Sequence, residues 1–197
     1  SLVGSEMCIR DSYKDPFILP SDPTLKAAAK AAKIRFAGES TSDHMALLRV
    51  FQGWQRARVE GNDRAFCSRH QVSSSTMDMI TGIRTQLLGQ LRASGFVRAK
   101  GFGDIRDLNR NSENWAVVKA ALVGGAYPHI ARYDKEFKLL RTSLESKVRL
   151  HPSSVILNSI GTDRAHGSAT SAINNRKALH DLTTDWFIFD EMTRAGR

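Results

Sequence analysis

Only two cysteines occur among the 197 residues, Cys8 and Cys67. Cys8 falls in the first twelve, SLVGSEMCIRDS, which match no later element and look like a translated sequencing-library adaptor. That leader, residues 1–12, is set apart from the fold as non-native. Cys67 alone forms no internal disulfide, which suits a reducing compartment: the cytoplasm, with the nucleus as the alternative. Cys67 reads as a small buried apolar residue. Cys67 and His70 are too few for a zinc site, which takes about four ligands, and the six histidines are scattered, so no metal is expected. No G-x-x-x-x-G-K-S/T loop is present to cradle nucleotide phosphates, and Gly101-Phe102-Gly103 is a lone G-x-G turn. Asp190-Glu191-Met192-Thr193 lacks the histidine of a D-E-x-H box, and no G-x-S-x-G elbow occurs. The chain therefore offers no catalytic residue, needs no cofactor and should not hydrolyse ATP by itself. No long apolar run or signal-like segment is present, so no membrane partner is expected.

Positive charge is plentiful. Lysine and arginine number 29 against 20 acidic residues, a formal charge of +9 with a pI near 9.9. Removing Arg10, Glu6 and Asp11 with the leader makes the chain more basic still. A polyanion, nucleic acid first, suits that balance; the plainer reading is a surface that only keeps the protein soluble. A hydrophobic content of 41% supports a real core in one or two domains.

Apolar spacing predicts helices first. Asp22-Pro23 reads as a cap and first-turn proline, followed by a stripe of Leu25, Ala28, Ala29, Ala32 and Phe36. Lys26, Lys30 and Lys33 lie opposite, as a solvated face or an RNA contact. Gly38 breaks this helix, Ser42 or Asp43 caps the next, and Leu47, Phe51 and Trp54 recur along it. His44 reads as structural, and Asp63 to His70 as a short helix. A further helix runs roughly from Ser75 to Ser94, stopped by Gly95; another is capped by Asn111 or Ser112 and ended by Gly124-Gly125 and Pro128. Between these last two lie Arg98, Lys100, Arg106 and Arg110, against Asp104 and Asp107. Two apolar-faced helices joined by a cationic loop suit a polyanion better than a small molecule. Arg84 and Arg92, eight residues apart, lie near one helix face and can meet phosphates or pair with carboxylates.

After Pro128 the period shortens. His129–Asp134, Phe137–Arg141, Lys147–Leu150 and Asp185–Asp190 read as strands. Val148 and Leu150 alternate with Lys147, Arg149 and His151, which are candidate nucleic-acid contacts or an ordinary polar strand face. Residues 158–182, rich in Ser, Thr, Asn and Gly, read as a flexible insertion.

Several stretches resemble one family. NSENWAVVKAALVGGAYP looks like the C-terminal signature of DExH-box RNA helicases, and TQLLGQLRASGFVRAKGFGDIRDLNRNSENWAVVKAALV looks closest to the member type that carries a YTH domain. SDHMALLRVFQGWQRAR and RAFCSRH resemble the family's ratchet (helicase-associated) domain; KVRLHPSSV and DWFIFDEMTR resemble its oligonucleotide-binding (OB) fold. The resemblance covers about Asp15 to Arg194. It implies an α+β chain: a helical ratchet-like bundle at 13–108, then a partial OB-fold β-barrel at 109–197. It implies a 3′–5′ ATP-dependent helicase whose ATP and magnesium sit in motor domains elsewhere, and a YTH module reading N6-methyladenosine, also elsewhere. The implied partners are single-stranded RNA, met mainly through phosphates, the motor domains of the same protein, and an activator protein on the OB surface. As an alternative, the OB surface receives the activator without touching RNA. The resembled OB fold carries at least one further strand beyond Arg197, so the strand half is expected to be only marginally stable.

Overall fold

The computed structural model describes residues 7–10, 15–97, 109–159, 179–180 and 182–194. They form two compact units, one of residues 1–72 with 126–197, the other of residues 73–125. The expected boundary near residue 108 falls outside the described residues.

The larger unit begins with three helices. Helix α1 (Pro23–Ala37) starts where the Asp22 carboxylate accepts the Thr24 and Leu25 amides at 2.8 and 3.0 Å. It stops at Gly38, whose φ of +54° suits a residue without Cβ. Helix α2 (Asp43–Val59) is capped by Ser42, which accepts the Met45 amide. Helix α3 (Asp63–His70) follows at the expected bounds. Trp54 is only 1% exposed, Phe51 stacks on it, and the Phe66 ring of α3 comes within 3.1 Å of where a Cβ on Gly53 would stand. Close approach of α3 is thus why glycine is tolerated inside α2. Cys67 is buried, as its apolar reading required.

The rest of this unit is a six-stranded sheet with the short helix α6 (Val155–Ser159) beside it. The strands are β1 (Met7–Arg10), β2 (Ile130–Asp134), β3 (Leu139–Thr142), β4 (Val148–Leu150), β5 (Trp186–Ile188) and β6 (Glu191–Arg194). Their order is β5-β2-β3-β4-β1-β6, and β5-β2-β3-β4 form an antiparallel half-barrel. The expected α+β class, helices followed by a partial OB barrel, is what the chain adopts. Ala131, Tyr133, Leu140, Val148, Leu150 and Phe189 fill the barrel core.

Several expectations need correction. The leader supplies β1, parallel to β4 and antiparallel to β6, because its short run can complete backbone ladders whatever its origin. Leu179, inside the expected insertion, is 5% exposed in the barrel core, since that core takes an apolar side chain from the far end of the connection. Residues 160–178 and 181 lie outside the described ones. Strand β6 and helix α6 were not legible from periodicity, being only four and five residues long.

Lys33 is the clearest departure from a solvated lysine face: it is 6% exposed. Its ammonium lies 2.7 Å from Asp15 and 2.9 Å from Asp43. Asp43 in turn accepts the Ser154 hydroxyl at 2.7 Å and the Val155 amide at 3.0 Å. One buried carboxylate thereby ties α1 and α2 to the start of α6 beside the barrel.

Burial pushes the His44 imidazole below its ordinary pKa, and Lys33 adds to this against the opposing pull of Asp43 and Asp190. Folding thus disfavours the proton, so the unfolded chain binds more of it as pH falls below about 6.5, and stability falls with it. His70 shifts the same way, through burial and then Arg35 and Arg69. His44→Gln should therefore flatten part of the decline in urea midpoint between pH 7.5 and 5.5. An undiminished decline would exclude His44 as its source.

The smaller unit holds α4 (Ser74–Ala93) and α5 (Trp115–Ala126). Ser73 caps α4 by accepting the Thr76 amide. Asn114, rather than Asn111 or Ser112, caps α5, because its side-chain oxygen reaches the Ala116 and Val117 amides. Gly124 and Gly125 lie inside α5, and the helix ends at Ala126, just before the cis Tyr127–Pro128 bond.

Candidate nucleic-acid interface

Strand alternation builds the site. Ala131 and Tyr133 of β2 are buried at 0% and 1% exposure, so Arg132 between them points to the opposite face. Arg132 pairs across the ladder with Arg141 of β3 on one side and Trp186 of β5 on the other. Trp186, Arg132 and Arg141 therefore form one row on the outward face of three neighbouring strands. The Arg132 guanidinium lies 5.5 Å from the centre of the Trp186 ring, within cation–π range. Arg141 lies 5.1 Å from the Phe137 ring in the β2–β3 turn. That turn is fixed by Asp134, whose carboxylate accepts the Glu136 and Phe137 amides, both at 3.1 Å.

The β4 candidates join this face. Leu140 and Val148 are opposite each other in the core, so one step along the antiparallel register sets Lys147 beside Arg141 and Arg149 beside Leu139. Lys147 is exposed and Arg149 half-buried, consistent with the alternation read from the sequence. His151 is engaged locally: its Nδ1 accepts the Ser153 amide at 3.2 Å and lies 2.7 Å from the Ser153 hydroxyl, shaping the turn into α6.

The remaining candidates fall elsewhere. Arg84 and Arg92 are exposed on α4, and Arg110 is exposed before α5, all in the smaller unit. Arg98, Lys100 and Arg106 lie outside the described residues. Arg132, Arg141 and Phe137 were missed by sequence reasoning. A signal existed in Ala131-Arg132-Tyr133 and Leu140-Arg141, where arginine alternates with core residues, but nothing local pairs Arg132 with Trp186.

Carboxylates at the margin temper the charge. Asp134 is 3.7 Å from Arg141, and Asp185 is 3.0 Å from Lys135 without the alignment of a hydrogen bond. Among the described residues no group of three His, Cys, Asp or Glu side chains could hold a metal ion, and no helix is long and apolar enough to cross a membrane. The surface offers rings and cations, which suits binding.

Residues 118–197 match the oligonucleotide/oligosaccharide-binding (OB)-fold family, which accounts for the half-barrel. Three particular relatives are named as helicases. The chain is 33% identical over 194 residues to the DExH-box ATP-dependent RNA helicase DExH6 of Arabidopsis thaliana, covering 95% of this chain and 13% of the relative. It is 31% identical over 152 residues to the human ATP-dependent DNA/RNA helicase DHX36, covering 73% of this chain and 15% of the relative. It is 35% identical over 147 residues to Arabidopsis DExH1, covering 73% of this chain and 14% of the relative. The chain is thus an OB-fold-bearing relative of DExH-box helicases and spans about one-seventh of the length of those it matches.

Proposed function

We propose that this chain is the RNA-binding C-terminal accessory region of a 3′–5′ ATP-dependent DExH-box RNA helicase, helping to wall its single-stranded RNA channel. The observation that carries the reading is the outward OB face, where Arg132, Arg141, Lys147 and Arg149 share one side of three strands. The names of the relatives support the enzyme class. ATP and magnesium belong to motor domains outside this chain, and so does the YTH module that the resemblance of residues 85–123 implies. The helical segments serve as the ratchet domain. Met79, Ile83, Leu87 and Leu91 recur every four residues along α4 and are 40–53% exposed, a stripe suited to packing on the motor domains. The location we propose is cytoplasmic, with the nucleus as the alternative.

Phosphate contacts give affinity with little sequence preference. In fluorescence anisotropy with a labelled oligouridylate of about twelve nucleotides, Lys147→Glu with Arg149→Glu should weaken binding by about tenfold or more. Unchanged binding would remove the OB face from the RNA path. An activator protein docking on the same surface is the competing reading, and it predicts no oligonucleotide binding there.

A further inference from the structure

We infer that the gap between β4 and β6 is a strand-accepting slot for an extended segment of a partner protein, one with apolar residues at alternate positions and a basic residue opposite Glu191. The slot is a place in the barrel wall, and it stands independently of the RNA reading.

The two ends of the strand order, β5 and β6, are neighbours in the chain: β5 stops at Ile188 and β6 starts at Glu191, with only Phe189 and Asp190 between them. The sheet therefore curls until its ends meet, and residues 130–194 supply every strand but one. That one is β1. Strands β4 and β6 each pair with it rather than with each other, β4 in parallel over Val148 to Leu150 and β6 antiparallel over Glu191 to Arg194. Adjacent strands lie about 4.8 Å apart, so β4 and β6 flank a gap of about 10 Å, the room of a single strand. Both sides of the gap present rows of backbone N–H and C=O groups that need partners.

The segment now in the gap shows what the gap selects. Met7–Arg10 belongs to a leader that matches no later element, yet it pairs with both walls. Recognition therefore works through the backbone first, as in strand addition to an open sheet edge. Side chains narrow the choice. The positions paired with Val148 and Leu150 stand beside residues only 4% and 6% exposed in the barrel core, so apolar side chains fit there. At one end the ladder pairs Arg10 with Glu191, whose Oε2 is buried and accepts no hydrogen bond among the described residues. A buried carboxylate oxygen without a donor is costly, and a basic residue in that register supplies one. A nucleic acid has no backbone N–H for the ladder and would bring phosphate to Glu191. A second copy of this chain gains nothing, since each copy already fills its own slot.

The probe is a fluorescein-labelled peptide of residues 5–12, Ser-Glu-Met-Cys-Ile-Arg-Asp-Ser, carrying Cys8→Ser against oxidation. Ile9 pairs with Leu150 on one side and Met192 on the other, so Ile9→Pro in the full chain removes an N–H from the ladder and frees the slot. A tethered strand competes at an effective concentration on the order of millimolar. In an anisotropy titration the peptide should therefore bind the Ile9→Pro chain about tenfold or more tighter than the unsubstituted chain. A peptide with Arg10→Glu should bind that chain about tenfold more weakly, and one with Ile9→Pro should not bind. If Ile9→Pro lowers the thermal midpoint of the chain, the peptide should restore it. An Ile9→Pro chain that is neither bound nor stabilised by the peptide would overturn the slot. Equal binding of the Arg10→Glu peptide would overturn the basic requirement at Glu191. Dimers of the Ile9→Pro chain that grow with concentration would assign the slot to a second copy and defeat the partner reading.

Discussion

Asp43→Ala is expected to lower stability by about 3–5 kcal/mol, the usual result of removing one partner from a buried charge network. Asp43 is 6% exposed and serves three groups at once: the Lys33 ammonium, the Ser154 hydroxyl and the Val155 amide. Alanine removes an acceptor from all three, while Asp15 and the Ser153 carbonyl still reach the 6%-exposed Lys33. For a chain of this length the thermal midpoint should fall on the order of 10 °C. The loss should reach both the helices and the barrel, because the carboxylate joins α1 and α2 to α6. Asp43→Asn keeps an acceptor but not the charge and should fall between. Urea unfolding followed by intrinsic tryptophan emission and far-ultraviolet circular dichroism is the check; a loss below about 1 kcal/mol would mean the network does not hold these elements together.

That network also marks the limit of what the chain's sequence discloses. Asp22-Pro23, Gly38, Ser42 and Gly95 punctuate locally, so the bounds of α1, α2 and α4 follow from capping and glycine geometry alone. Val148-Arg149-Leu150 alternates as a half-buried strand must, and β4 is where that pattern puts it. Lys33 looked solvated because its partners are not local signals: Asp15 is 18 residues away, and Asp43 resembles an ordinary helix cap. The site divides in the same way. Lys147 and Arg149 were visible through alternation, whereas the Arg132–Trp186 pair depends on a ladder between strands more than fifty residues apart. Pairing register across such a gap is set by the packed core of Ala131, Tyr133 and Phe189, which no local period reveals. The leader was set apart because it matches no family element, yet a strand needs only backbone partners, and β1 pairs with β4 and β6.

The second large effect is the salt dependence of RNA binding. Four phosphates met by Arg132, Arg141, Lys147 and Arg149 would give a slope of log affinity against log salt of about −3 on a single strand. Raising salt from about 50 to 200 mM should then weaken binding by about fiftyfold. Reversing Lys147 and Arg149 should lower both the affinity and the slope, because fewer counterions are released when fewer phosphates are neutralised.

The most direct test of the central claim, that the outward OB face binds a single nucleic-acid strand, is therefore an anisotropy titration of labelled oligouridylate across that salt range. The account predicts tight binding at low salt and a slope near −3 that shrinks by about half in the Lys147→Glu, Arg149→Glu chain. Binding that ignores salt, or a slope that the double reversal leaves untouched, would contradict it.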